Sequence, residues 1–175
     1  MRYNGISVLE NMHLSEAMQL LLSESRINFL SHLSSDLFVD FYGLVVQLVL
    51  ATDMSKHIEI TSQFSALVNA GELSPGNKMH RLLLMKMFLK FADISNPSRT
   101  WSSCRMWADC VMREFFGQGD RERILGLPIS PMMNRESTNV SKCQAAFIEF
   151  AVIPTSEIIA KVIPSLGQTL VRNAQ

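Results

Sequence analysis

No stretch of this sequence is both long and apolar enough to span a bilayer. The longest candidate, Leu37 to Ala51, is interrupted by Asp40 and Gln47 and falls short of the roughly 20 residues a span needs. It reads instead as a buried helix. The N-terminus, Met-Arg-Tyr-Asn-Gly, carries no apolar run of the signal-peptide kind, so a cytoplasmic location is the default expectation. Cysteine is scarce. Cys104, Cys110 and Cys143 are odd in number and show no Cys-x-x-Cys spacing. That excludes a disulfide framework or a zinc knuckle and leaves buried, reduced thiols as the expectation. Net charge is absent too, with 16 basic residues against 16 acidic ones. The chain therefore offers no electrostatic ground for nucleic acid or an anionic membrane as partner. Strand patterning is missing as well. Val45-Val46 sits in an apolar run too long for a typical strand and without polar alternation.

What remains is helical periodicity. With 175 residues and 47% apolar content, the chain is one domain or a large piece of one. Val8, Leu9, Leu14, Met18, Leu21 and Leu22 predict a first helix after Gly5. Ser34, Ser35 and Asp36 offer caps for a second, running towards Thr52. A third runs from about Lys56 to Ala70 and stops at Gly71, and Ser-Pro-Gly marks the loop after it. A fourth covers Met79 to Ala92, with Lys86 and Lys90 on one face, and Pro97 lies at or past its end. Trp101 to Phe116 is amphipathic and is followed by Gly117 and Gly119. Gly126 to Asn134 reads as an irregular loop. Ser137 or Asn139 caps a helix through Phe150, which Pro154 kinks or restarts, and Pro164 and Gly167 mark its frayed end. The fold class is all-α.

Four local constellations carry chemistry. In Phe91-Ala92-Asp93-Ile94-Ser95-Asn96-Pro97 an acid ends an apolar helix. Asp93 either starts the Ser-Asn-Pro turn or ligates a hard metal ion. In Ala51-Thr52-Asp53-Met54-Ser55-Lys56-His57 a polar cluster separates two apolar helices. It is either a capped junction with a satisfied structural histidine or a second layer of groups orienting water around a metal. Gln144 and Phe147 lie three apart on one helical face. They are either a surface amide beside a core ring or an amide reading a purine edge while the ring stacks on the base. Trp107, Val111 and Phe115 form an apolar stripe, either core or one wall of a planar slot.

In this order and spacing the constellations resemble the class I 3′,5′-cyclic nucleotide phosphodiesterases. The resemblance starts at Tyr3-Asn4, Ser7 to Asn11 and His13-Leu14. It continues through Ala51 to His57, Ala92 to Pro97, and Glu114 to Phe116 with Gln118 to Glu122. Ile129 to Met132 extends it, and it ends near Pro154. It implies the C-terminal portion of a compact, multi-helix catalytic domain over residues 1–164, with 165–175 as a C-terminal tail. The complete enzyme would hydrolyse cAMP, cGMP or both to 5′-monophosphates in signal transduction. Two divalent ions would act there, zinc plus magnesium or manganese, with a histidine as acid.

Carried onto this chain, the resemblance makes Asp93 the last zinc ligand and Gln144 the purine-reading amide. Phe147 and Val111 become the two sides of a clamp on the base, Asn96 a base-proximal polar residue, and Met132 part of the loop lining the pocket. Thr52 and Met54 become wall or second-layer positions, and Glu10 lies near the metal end. The family's His-Asn-x-x-His motif and His-Asp pair, both expected before Tyr3, do not occur. His13, His32, His57 and His80 sit in neither context. The metal site is therefore incomplete, no catalytic residue is assigned in this chain, and inactivity alone is expected. The missing N-terminal half of the domain is an expected partner, beside the cyclic nucleotide. The competing expectation is a truncated, non-catalytic helical module that binds a nucleotide or a protein.

Overall fold

The computed structural model describes residues 2–164, so Gly167 and the 165–175 tail lie outside the described residues. Among the described residues the structure is helical without strands. The described residues form seven α-helices: α1 (Val8–Ser23), α2 (Ser35–Val49), α3 (His57–Asn69), α4 (Lys78–Ile94), α5 (Trp101–Ile124), α6 (Val140–Phe147) and α7 (Ile153–Val162). None of them alone is long and apolar enough to cross a membrane. The chain divides into two compact units, Met1–Lys90 and Phe91–Gln175.

In the first unit the start and stop signals act as their chemistry dictates. Ser34 caps α2 by accepting the Leu37 N–H. Gly71 takes the left-handed backbone (φ 70°) that an L side chain resists, and so ends α3. Glu72 N–H then reaches the Leu67 carbonyl and Gly71 N–H the Val68 carbonyl, satisfying two orphan acceptors. Leu14, Leu30, Ala51, Ile60, Phe64 and Met87 are buried. The expectation that α2 is buried fails: none of its residues is fully buried, and Leu37 and Val39 are 58% and 66% exposed. Its apolar surface is broader than α1, against which it packs, can cover.

The Lys86–Lys90 pair does not form a shared solvated face. Lys90 is wholly buried, while Lys86 is half-buried. The Lys90 ammonium donates to the carbonyls of Ala51 (3.0 Å), Thr52 (3.4 Å) and Asp53 (3.1 Å). These carbonyls lie just past the end of α2, beyond its helical ladder, and an ammonium has three donors to offer them. The junction between α2 and α3 is thereby fixed to α4.

In the second unit α5 does not pause at Gly117 and Gly119 but runs on to Ile124. A helical glycine costs only about 1 kcal/mol relative to alanine, which the neighbouring turns absorb. Asn139 caps α6 by accepting the Lys142 N–H. After α6 the helix widens into a π segment, Ile148–Val152, and Ile153 N–H reaches back to the Ile148 carbonyl. Pro154 explains this, because it lacks an N–H and its ring crowds the carbonyl four residues earlier. The buried hydroxyls of Thr155 and Ser156 donate to the carbonyls of Ala151 and Val152, each at 2.7 Å. The Asn96–Ser98 turn packs on this π segment.

Candidate functional site

The sequence-predicted base-side residues all fall in the second unit. Gln144 and Phe147 are half-buried on α6. Among the described residues nothing hydrogen-bonds the Gln144 side-chain amide, so it is able to present either its carbonyl or its NH2 edge. Asn96 is half-buried in the turn that packs against the π segment directly after Phe147. Met132 stands in the loop between α5 and α6, with a left-handed backbone (φ 65°), and its sulfur accepts from the Cys143 thiol at 3.3 Å. Cys143 directly precedes Gln144 in α6, so the Met132 loop meets α6 one residue before Gln144.

The stripe on α5 is not core. Trp107 and Val111 are 43% and 36% exposed and Phe115 is half-buried, whereas Met112 and Gly119 are the buried positions of α5. That leaves Val111 on an open face, where a wall residue has to be. The cysteines also differ from expectation: none is fully buried, and Cys110 is exposed. Their thiols are free, as expected. An open hollow of about 440 Å³ along α5, lined by Trp101, Arg105, Met106, Asp109 and Arg113, contains none of the predicted site residues.

Asp93, in the last turn of α4, is exposed. It does not start the following turn through its side chain. Ser95 does that, donating its N–H and hydroxyl to the Ala92 carbonyl. Among the described residues no group of three or more His, Cys, Asp or Glu could hold a metal ion. A hard cation needs several oxygen or nitrogen ligands, and a zinc site normally takes three or four from the protein. The described residues therefore do not fit a two-metal centre by themselves.

Thr52, Met54 and Glu10 belong to the first unit. Before α1, Tyr3, Asn4 and Ser7 all adopt left-handed backbone (φ 64°, 52° and 43°). Such strain persists where surrounding contacts impose it. Here the Ser7 hydroxyl donates to the Asp53 carboxylate at 2.7 Å, and the Asn11 amide donates to the Ile6 and Ser7 carbonyls. Glu10, in the first turn of α1, is thus held near the junction that carries half-buried Thr52 and exposed Met54. His57 is buried, but its Nδ1 has no hydrogen-bond partner among the described residues, so it is not the satisfied histidine expected. Burial, and then the nearby Lys90 ammonium, hold its pKa below 6.5 and keep it neutral.

The Ser7 bond, followed by the bonds from Ser55, lowers the Asp53 pKa against the opposing effect of burial. A carboxylate whose folded pKa is depressed stabilises the fold above its unfolded value of 3.8, and loses that contribution as pH falls through the lower folded value. Ser7→Ala should therefore cost about 1 kcal/mol at neutral pH. The gap to the unsubstituted chain should narrow towards pH of about 2. Urea unfolding at several pH values checks this; a gap independent of pH would count against it.

Sequence reasoning missed two features: the buried Lys90 ammonium that binds three carbonyls, and the His57 Nδ1 without a hydrogen-bond partner among the described residues. A lysine inside Met-Phe-Leu-Lys-Phe-Ala was the one available signal.

Comparison with known proteins identifies the family. The family model for 3′5′-cyclic nucleotide phosphodiesterase matches residues 1–173. The mouse dual specificity calcium/calmodulin-dependent 3′,5′-cyclic nucleotide phosphodiesterase 1C is 39% identical over 169 residues, covering 97% of this chain and 23% of that protein. The human high affinity cGMP-specific 3′,5′-cyclic phosphodiesterase 9A is 36% identical over 171 residues, covering 98% of this chain and 28% of that protein. The cGMP-specific 3′,5′-cGMP phosphodiesterase 3 of Dictyostelium discoideum is 40% identical over 164 residues, covering 94% and 35%. The solved structure of LmjPDEB1 in complex with IBMX superposes with a TM-score of 0.85 at 32% identity, over 95% of this chain and 50% of that one. The chain thus spans about a quarter to a third of the length of these curated relatives and half of the solved chain. It belongs to the 3′,5′-cyclic nucleotide phosphodiesterase family and forms a portion of the catalytic domain.

Proposed function

We propose that this chain is the base-binding half of an enzyme that hydrolyses 3′,5′-cyclic nucleotides to 5′-monophosphates, and that residues 1–164 are its working part. The observation that carries the reading is the clustering around α6. The Gln144 amide, free of partners among the described residues, stands next to Cys143, and the Cys143 thiol touches Met132. One turn on, Phe147 leads into the π segment that packs against the Asn96 turn. An amide edge, an aromatic face and a thioether are the groups a purine base needs: directional hydrogen bonds in its plane and dispersion contacts above and below it.

Each residue then has a task. Gln144 hydrogen-bonds the purine edge, Phe147 stacks on one face of the base, and Val111 closes the other. Asn96 offers a second polar contact, and Met132 closes the loop side. With nothing among the described residues fixing the Gln144 amide, both adenine and guanine edges can be met by rotation, so cAMP and cGMP are both proposed substrates. Asp93 supplies one carboxylate to a divalent metal set of zinc with magnesium or manganese. Its other ligands, and the histidine acid, come from the other half of the domain. Glu10, Thr52 and Met54 line the metal end and wall. By itself the chain does not turn the nucleotide over.

A chimera tests this. This chain replaces the matching half of LmjPDEB1, the solved chain of which it covers 50%. The chimera should release 5′-AMP from cAMP, 5′-GMP from cGMP, or both, while this chain alone releases neither. A folded chimera with no turnover on either nucleotide would contradict the proposal and favour a non-catalytic helical module.

A further inference from the structure

The loop that carries Met132 is held down at one point by a carboxylate from α5. Glu122 Oε2 accepts the Ser130 N–H at 2.7 Å, and Glu122 Oε1 accepts the Ser130 hydroxyl at 2.7 Å. Gln118, one turn earlier, donates to Oε1 at 2.8 Å and orients the carboxylate. Both Glu122 and Ser130 are half-buried. Binding both donors of one residue fixes its position and rotation together, which a single hydrogen bond cannot do.

Other contacts line the same strip of α5. A Cβ on Gly119 would overlap the Met133 carbonyl oxygen and stand 2.7 Å from its carbon, so the loop backbone lies directly on the helix. Arg135 pairs with Asp120 and lies 5.3 Å from the Phe116 ring centroid. Arg123 reaches Asn134 and Glu136, each at 3.0 Å. These ion pairs have well-exposed side chains and stabilise little in water. Glu122 is the charged tie nearest to Met132, which lies two residues beyond Ser130. Met132 is held in left-handed backbone, a conformation a methionine does not keep without restraint.

We infer that Glu122 is a positioning residue for the base-side wall: by gripping Ser130 through both carboxylate oxygens it keeps Met132 seated on Cys143, beside Gln144. The inference rests on the proposed base-side role of Met132 and Gln144. Its mechanical part is independent of any nucleotide.

Cys143 is a built-in reporter, because it is half-buried and its thiol donates to the Met132 sulfur. N-Ethylmaleimide labelling of the whole chain, without nucleotide and resolved by peptide mass spectrometry, reads Cys143 separately from Cys104 and Cys110. Glu122→Ala is expected to speed Cys143 labelling about tenfold while Cys104 stays within about twofold, since each 1.4 kcal/mol is a factor of ten. Glu122→Gln keeps one acceptor and can donate to the Ser130 hydroxyl, so it should restore most of the protection. Ser130→Ala loses only the hydroxyl half and should speed Cys143 about threefold. Unchanged Cys143 labelling in a folded Glu122→Ala chain overturns the inference. So does equal acceleration of Cys104 and Cys143 in Glu122→Ala and Glu122→Gln, which would make Glu122 a general stabiliser. If Glu122→Ala does not fold, Ser130→Ala decides: selective exposure of Cys143 supports the grip, and no change refutes it.

Discussion

Replacing Lys90 with methionine should cost the fold about 3 kcal/mol, a factor of more than a hundred in the folding equilibrium. The ammonium is wholly buried and donates to three successive carbonyls, those of Ala51, Thr52 and Asp53. Methionine keeps most of the stem's bulk, so the loss is chiefly polar. The Asp53 carbonyl still has the Lys56 N–H at 3.1 Å, but the Ala51 and Thr52 carbonyls lose the Lys90 donor. A buried acceptor stripped of its partner costs about 1–3 kcal/mol, more when the lost donor was charged. The same change removes the positive charge that helps depress the His57 pKa, so His57 should titrate higher, though still below 6.5 because burial is the larger cause. Urea unfolding gives the first number and histidine NMR the second. A loss below about 1 kcal/mol with His57 unmoved would mean that the ammonium does not organise the junction.

The second large effect concerns the base. In the LmjPDEB1 chimera, Gln144→Ala should lower kcat/KM by about tenfold to a hundredfold, the loss of roughly 1–3 kcal/mol of buried amide pairing. It should also erode preference between cAMP and cGMP, since the amide is the group that reads the purine edge. Phe147→Ala should weaken both nucleotides alike, because stacking is blind to the pattern of donors and acceptors. Parallel kcat and KM measurements on both nucleotides separate the two. If Gln144→Ala left kcat/KM unchanged on both, base reading would have to lie elsewhere.

Helix positions were legible in the sequence because their signals are local. Ser34, Asn139 and Gly71 act through hydrogen bonds or backbone geometry within a few residues, and each ended or began a helix as read. Pro154 was legible as a restart, but the π segment before it was not. That widening depends on how the Ile148 to Val152 carbonyls find partners after the proline N–H is gone. Burial was read least well. Apolar content makes α2 resemble a core helix and Trp107, Val111 and Phe115 a core stripe, yet exposure depends on which neighbour covers a face.

The candidate site divides the same way. Ordered motifs pointed to Gln144, Phe147, Asn96 and Met132, which cluster on and around α6. The Lys90 cage spans 37 to 39 positions in sequence, and the Glu122–Ser130 grip spans 8. Neither has a periodic signature. Both arise from tertiary contact between a charged side chain and backbone groups, and single-sequence patterning does not record such contacts.

Cyclic nucleotide turnover by the LmjPDEB1 chimera, measured with and without Asp93→Ala, bears most directly on the claim that this chain is one half of a hydrolytic site. The 5′-monophosphate released from cAMP and cGMP is the quantity to follow, with helicity and thermal unfolding recorded on both proteins. The unsubstituted chimera should turn over at least one nucleotide. Asp93→Ala should abolish that turnover on either base while folding alike, since Asp93 is exposed and carries no hydrogen bond among the described residues. Equal turnover with and without the Asp93 carboxylate would contradict the account.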